Sequence, residues 1–151
     1  MLTLGINRLV MNADALTIDS LMRTFYDCIT CDPGTPPQFE RDRALYVENP
    51  LLFADRPEGM RRLTLDEWMA GAAPILAKGF HESEIARREM RFGRIAHVTS
   101  VYETRLGKDA PLLKRGINSL QLLWEGGRWW IVSVIWDNER ADNPLPTDLL
   151  E

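Results

Sequence analysis

Hydrophobic residues recur at helical spacing through the first half of the chain. One run predicts a first helix and consists of Ile18, Leu21, Met22, Phe25 and Ile29. A short second helix is predicted after Pro36-Pro37, because proline is tolerated in a first turn. We expect Glu48-Asn49-Pro50 to end this helix before a short strand or extended segment at 51–54. A third helix is predicted to begin at the capping box Thr64-Leu65-Asp66-Glu67.

After Gly79 the spacing of hydrophobic positions changes to every second residue, which is typical of strands. Glycine-containing turns at Gly93-Arg94 and Gly126-Gly127 predict two hairpins. Their strands are 80–92 with 95–106, and 116–124 with 128–137. Helices followed by hairpins indicate an α+β fold with an antiparallel sheet, since a parallel sheet would require alternating strands and helices.

The chain has 151 residues, enough for one domain with a hydrophobic core. We treat 1–151 as a single domain with an N-terminal arm, 1–13, and a C-terminal tail, 141–151. The apolar arm is expected to pack on its own domain or on a partner chain. Its sequence lacks the basic start and the continuous apolar stretch of a signal peptide, so we expect a cytoplasmic protein.

Charge argues against two classes of partner. The net charge is −4, which provides no basic surface for nucleic acid or for an anionic membrane. No apolar run is long enough to cross a bilayer. The arginines of segment 87–94 alternate with glutamates of segment 82–89, and we interpret both as a solvated, mutually paired strand surface rather than an RNA site. We therefore expect neither a nucleic-acid nor a membrane partner.

The two cysteines, Cys28 and Cys31, have CxxC spacing. They lie at the end of the first predicted helix, where the helix dipole disfavours a thiolate, so we interpret them as structural, reduced thiols. The remaining possible zinc ligands, His81 and His97, match no compact ligand motif. The sequence also contains no glycine-rich phosphate loop. We expect neither a metal nor a cofactor.

Counting cross-strand partners outward from Gly126-Gly127 predicts two largely apolar faces in the last hairpin. The first face includes Trp124, Trp129, Leu122, Ile131 and Ile135, and it ends at Asn118 and Asp137. The second includes Trp130, Val132, Val134 and Trp136. An antiparallel sheet in a monomer usually leaves one face polar. We therefore expect the helices to cover one face and a second subunit the other, which predicts a homodimer.

A carboxylate beside an amide at the end of an apolar surface is typical of a ligand pocket. Asp137 is therefore a candidate general base whose apolar surroundings would raise its pKa, although it could simply end the strand. His97 lies among apolar neighbours and is a second candidate catalytic residue, with a structural role as the alternative. The predicted ligand-binding residues are Tyr26, Trp68, Tyr102, Asn118, Trp124, Trp129, Ile131 and Ile135.

The order of elements resembles that of the nuclear transport factor 2-like (NTF2-like) superfamily, which includes SnoaL-like and ketosteroid-isomerase-like proteins. The segment from Gly126 to Ser133 is similar to its closing G-x-W-x-I/V strand, and that from Gly93 to Val98 to its G-x-x-A-x-V strand. The resemblance covers about residues 14–140. It implies a cystatin-like α+β cone, in which three N-terminal helices pack on a strongly curved antiparallel sheet around an apolar pocket.

The superfamily includes isomerases, dehydratases, polyketide cyclases and domains that only bind or dimerise, so the fold does not decide the function. The resemblance implies an apolar small molecule in the pocket. One alternative is a cofactor-independent isomerase, dehydratase or cyclase that uses general acid/base chemistry, and another is a structural dimerisation module. Tyr26 and Asp137 are the nearest matches to the isomerases' tyrosine and aspartate. Because their positions do not align with that pattern, we do not transfer the isomerase activity.

Overall fold

The computed structural model describes residues 13–151, so most of the predicted N-terminal arm lies outside the described residues. Three α-helices and six β-strands are present in this part of the chain. In order they are α1 (Ile18–Asp27), α2 (Phe39–Arg43), β1 (Tyr46–Ala54), β2 (Arg61–Leu63), α3 (Leu65–Leu76), β3 (His81–Phe92), β4 (Ile95–Arg105), β5 (Leu112–Glu125) and β6 (Arg128–Asn138). None of these helices has the length and apolarity needed to cross a bilayer.

The two longer helices begin where the sequence predicts them, since α1 starts at Ile18, the first residue of its apolar run, and α3 starts after Thr64. Thr17 caps α1 by accepting a hydrogen bond from the Ser20 backbone N–H. Thr64 and Glu67 form the predicted capping box of α3, in which the Glu67 carboxylate accepts from the Thr64 N–H at 2.8 Å. The predicted N-terminal placement of the helices is confirmed in part, because α1 and α2 precede all six strands and α3 follows β1 and β2.

The six strands form one mixed sheet in the order β2-β1-β6-β5-β4-β3. Both predicted hairpins are confirmed by the antiparallel pairs β3–β4 and β5–β6. The expectation of a purely antiparallel sheet is wrong, because β1 pairs in parallel with β6. A parallel pair needs a long connection, and residues 55–127 provide it.

The segment Glu48-Asn49-Pro50, predicted to end the second helix, is instead an irregularity within β1. Pairing with β6 moves from Tyr46–Ile131 directly to Leu51–Ser133. Asn49 has a φ of 55°, in the left-handed region that asparagine tolerates better than most residues. The segment therefore distorts the strand without ending it.

A β-bulge at Val132 changes the predicted faces of β6. Leu122 pairs with Ile131 and Gln121 pairs with Ser133, which leaves Val132 without a partner. One extra residue transfers every following side chain to the opposite face. Val134 and Trp136 consequently share the inner face with Asn118, and Ile135 and Asp137 lie on the outer face.

The core lies between the inner face of the sheet and the helices. Its fully buried members include Leu21, Met22, Leu120, Trp129 and Ile131. Cys28 and Cys31 are also buried, and both thiols are free. Burial raises the pKa of Cys28 to about 12, which favours the neutral thiol. These observations agree with a structural role for both cysteines.

Candidate functional site

A cavity of about 820 Å³ opens between the inner face of the sheet and α3. Most of its wall is aliphatic or aromatic and includes Phe25, Leu52, Leu63, Trp68, Val134 and Trp136. Both the volume and the composition are typical of a small-molecule site. The β6 bulge is necessary for this wall, because it places Val134 and Trp136 on the inner face.

The structure brings together only part of the predicted ligand-binding set. Trp68, Tyr102 and Asn118 line the cavity, whereas Tyr26 lies behind Asn118 and contacts it through its hydroxyl. Trp129 and Ile131 are buried in the core, and Trp124 packs edge-on against Trp129 at 5.4 Å between ring centroids. Ile135 was predicted in the pocket, but the β6 bulge leaves it 43% exposed on the outer face.

Asp137 lies on the outer face, opposite Ile117, and does not line the cavity. Its carboxylate accepts a hydrogen bond from the Arg140 guanidinium at 2.6 Å and another from the Asn138 backbone N–H at 2.8 Å. The bond from Arg140 is the main reason that the pKa of Asp137 lies below its ordinary value. The predicted raised pKa is therefore wrong, and the physical reason is the bulge at Val132.

His97 is also on the outer face, since its neighbours Ala96 and Val98 are the buried residues of that part of β4. Its ring nitrogen Nδ1 lies 2.5 Å from Nε2 of the outer-face residue Gln121. His97 is not part of the cavity wall. The two candidate catalytic residues of the sequence analysis thus lie outside the cavity.

Glu82 is a cavity residue that the sequence analysis assigned to the solvated surface. It lies at the start of β3 on the inner face, where its Oε2 accepts from the Thr104 hydroxyl at 3.0 Å. Burial raises the pKa of Glu82 to about 7, and the charge of Lys114 acts in the opposite direction. The only sequence signal was strand alternation, which places Glu82 on the face opposite that of His81.

Asp42 of α2 is a second missed carboxyl group in the cavity wall. The residue is 1% exposed, and neither carboxyl oxygen has a hydrogen-bond partner among residues 13–151. Burial raises the pKa of Asp42 to about 7 because it penalises the charged form. No sequence signal marked this residue, since it lies between two arginines in a short polar helix.

A hydrogen-bonded chain orients the Asn118 amide. Asn118 Nδ2 donates to the Tyr26 hydroxyl at 3.1 Å, Tyr26 and Ser100 hydroxyls lie 2.6 Å apart, and Ser100 donates to Glu84. An ionised carboxylate can only accept a hydrogen bond, so the Ser100 hydroxyl uses its proton for Glu84. The Tyr26 hydroxyl must therefore donate to Ser100. Asn118 Oδ1 receives no hydrogen bond from the described residues and remains available as an acceptor. The chain therefore fixes a polar group at the cavity wall.

Tyr102 is oriented in a similar way on the neighbouring strand β4, where it pairs with Gly116 of β5. Its hydroxyl donates to Asn138 Oδ1 at 2.8 Å, and Asn138 Nδ2 donates to Asp55 at 3.0 Å. The Tyr102 oxygen therefore retains acceptor capacity toward a ligand. Together with Asn118, it gives the apolar cavity two polar contacts of defined direction.

No protein-family model and no curated protein matches the chain, but solved structures do. A cystatin-like fold protein of unknown function from Nostoc punctiforme superposes with a TM-score of 0.66 at 15% identity, over 83% of this chain and 91% of that chain. An NTF2-like protein of unknown function from Silicibacter pomeroyi gives 0.60 at 14% identity, over 81% and 92%. A protein from Shewanella frigidimarina named as a candidate ketosteroid isomerase gives 0.50 at 18% identity, over 66% and 80%.

These similarities show that the chain has the NTF2-like α+β fold, also described as cystatin-like. The predicted fold resemblance is thereby confirmed. Identities of 12–18% to the solved structures establish the fold and not the activity.

Proposed function

We propose that the chain binds an apolar small molecule in the cavity between α3 and the sheet. The observation that supports this proposal is a space of about 820 Å³ with a predominantly apolar wall and few polar groups. Trp68 and Trp136 line this space without filling it, and Trp129 lies in the core. That arrangement favours a ligand-binding protein over a structural module whose interior is filled by its tryptophans.

The proposal predicts saturable binding of the neutral fluorescent probe N-phenyl-1-naphthylamine. Gly71→Phe should weaken that binding at least about tenfold, or 1.4 kcal/mol, because the new ring would occupy the cavity. Gly71 lines the cavity, and a Cβ there has no atom within 4 Å, so the variant is expected to fold. Fluorescence titration measures the affinity.

Ala77→Phe provides the matched control, because Ala77 is exposed just beyond α3 and does not line the cavity. It should leave probe affinity within about twofold of the parent chain, a difference of about 0.4 kcal/mol. If the probe does not bind, or if both variants weaken it equally, the proposed site is wrong.

An enzyme that uses general acid/base chemistry is the second candidate function. It is favoured by Glu82, a cavity carboxyl whose pKa burial raises to about 7. A carboxyl with a pKa near the working pH can both accept and donate a proton. Isomerisation, dehydration and cyclisation are reactions that such a group can catalyse without a cofactor. Turnover that Glu82→Gln abolishes while ligand binding persists would favour the enzyme over a binding protein.

We also propose a homodimer formed through the outer face of the sheet. Met90, Phe92 and Ile95 expose large apolar side chains at the β3–β4 hairpin, with Phe92 82% exposed, and such patches often mark interfaces. Of the interface residues expected from the sequence, Trp130 and Val132 remain candidates. Val134 is buried on the inner face, and Trp136 lines the cavity.

The dimer proposal predicts a sedimentation mass of two chains at micromolar concentration. Phe92→Glu should shift the mass to one chain, because it would bury a charge in the interface. Met60→Glu changes an exposed apolar residue of the β1–β2 connection and should leave the dimer intact. A single-chain mass for the parent protein at these concentrations would contradict the proposal.

A further inference from the structure

Three cationic side chains, Arg56, Arg61 and Lys114, line the cavity. None of them forms an ion pair within residues 13–151, whereas eight other arginines do. The one hydrogen bond of the Arg56 guanidinium within this region goes to the backbone carbonyl of Asp55. Their positive charge is therefore available to a ligand.

Strand register places two of these cations, Arg61 and Lys114, toward the same end of the sheet. Arg61 pairs with Ala54 at the end of β1 and shares the inner face with Leu63. Lys114 pairs with Thr104 near the start of β5 and lies four residues before Asn118, on the same face. Arg61 and Lys114 are both exposed. The cations thus lie where the cavity opens to solvent, a region that we call the mouth.

The mouth also carries apolar side chains. Ile75, Leu106 and Leu113 line the cavity, and each is more than half exposed. Exposed apolar residues around a concave opening are typical of a surface that a ligand covers. A ligand that only filled the interior would leave these three side chains in water.

The carboxylates of the cavity wall are less available than the cations. Glu67 is held at the N-terminus of α3 by the Thr64 N–H, where the helix dipole favours its negative charge. Glu82 accepts a hydrogen bond from Thr104. Burial raises the pKa of Glu82 to about 7, so a large fraction of its carboxyl groups is neutral near pH 6.5. Both oxygens of Asp42 are enclosed by protein. The mouth therefore favours an anionic group over a cationic one.

We propose that the ligand is an amphipathic anion with an apolar body and one anionic head group, of which a carboxylate is the simplest case. Its body would occupy the cavity beside Trp68 and Trp136, and its head would lie at the mouth, attracted by the positive charges of Arg56, Arg61 and Lys114. The inference rests on the proposed function, since it assigns a chemical class to the molecule bound in that same cavity.

Displacement of N-phenyl-1-naphthylamine by three ligands of equal chain length tests this assignment. Decanoate, decanol and decylamine share the apolar body and differ in head charge. At about pH 6.5 the carboxylate is ionised. We expect decanoate to displace the probe at a concentration at least about tenfold lower than decanol or decylamine. Half a molar salt should reduce this advantage, because ion pairs at an exposed mouth are screened.

The double variant Arg61→Gln/Lys114→Gln should bring decanoate to within about twofold of decanol, when both displacement constants are calculated with the probe affinity measured for that variant. Both side chains are exposed, so the fold is expected to tolerate the change, and circular dichroism verifies this. Arg62→Gln is the matched control, because Arg62 pairs with Phe53 on the outer face and does not line the cavity. It should retain the full preference for decanoate.

Three negative results are distinguishable. If the probe binds but decanoate displaces it no better than decanol, or less well than decylamine, the anionic ligand class is wrong and the binding function stands. If the decanoate preference survives in the double variant, the assignment to Arg61 and Lys114 is wrong. If the probe does not bind the parent protein, the proposed function fails, and this inference fails with it.

Discussion

Replacement of Trp129 by alanine is expected to lower the free energy of unfolding by about 3–5 kcal/mol. Trp129 is fully buried in the core between the sheet and the helices. Its ring packs against Trp124 at 5.4 Å, and the Arg91 guanidinium lies 4.9 Å from its centroid. Truncation would remove these contacts and leave a void that the surrounding side chains fill only in part. Urea denaturation followed by circular dichroism measures the loss.

Trp130→Ala is the matched control, since it removes the same ring from the next residue of β6. The Trp130 ring is half-buried on the outer face, where the Arg128 guanidinium lies 3.8 Å from its centroid and its Nε1 donates to the Glu125 carbonyl. We expect a smaller loss, about 1 kcal/mol. Equal losses in the two variants, measured at one protein concentration, would contradict the assigned faces of β6.

The parts of the fold that could be predicted depend on short-range chemistry. The capping box at Thr64 and Glu67 involves residues three apart, and the hairpin turn at Gly126-Gly127 involves adjacent ones. Both signals are complete within a few residues of sequence. The start of α3 and the pairing of β5 with β6 followed from these two signals. The order of the elements was enough to suggest the NTF2-like fold.

The parallel pairing of β1 with β6 could not be predicted in the same way. It joins Leu51 to Ser133 across more than half of the chain, and nothing near Glu48-Asn49-Pro50 indicates that contact. The breaker residues correctly indicated irregular backbone at Asn49. The tertiary contact then determined that the irregularity lies inside a strand.

The bulge at Val132 explains why the candidate site was only partly predicted. Valine is a strong strand former, and its neighbours alternate normally, so no residue type marks the extra position. Between the turn and the bulge, the predicted faces hold for Trp129 and Ile131. Beyond it they are reversed, which removes Ile135 and Asp137 from the pocket and adds Val134 and Trp136.

The cavity carboxyls were missed for a different reason. Asp and Glu are usually exposed, so Asp42 and Glu82 fitted a polar helix and a solvated strand. Their burial depends on how α2 and β3 pack against the rest of the chain, and sequence spacing contains little of that information. The same burial raises the pKa of each group to about 7, which makes them chemically distinctive.

Asp42 should make the protein less stable as the pH rises from about 4 to 7. The ordinary pKa of the aspartate is 3.8, and burial raises it to about 7 in the folded chain. Between these values the unfolded chain has lost the proton and the folded chain has kept it. The unfolded state then binds fewer protons, so the free energy of unfolding falls with increasing pH. Above pH 7 both states are ionised, and the loss is complete.

Asp42→Asn is therefore expected to stabilise the protein at pH 8 by up to about 4 kcal/mol, at 1.36 kcal/mol for each unit of pKa change, with little effect at pH 4. Urea denaturation of parent and variant across this range measures the difference, and the contribution of Glu82 is common to both proteins and cancels. Asp109→Asn, at an exposed loop position, should show no such trend. A stabilisation that does not grow with pH would contradict the raised pKa of Asp42. One that does would show that burial keeps the Asp42 carboxyl neutral up to about pH 7, at a cost in stability once it ionises.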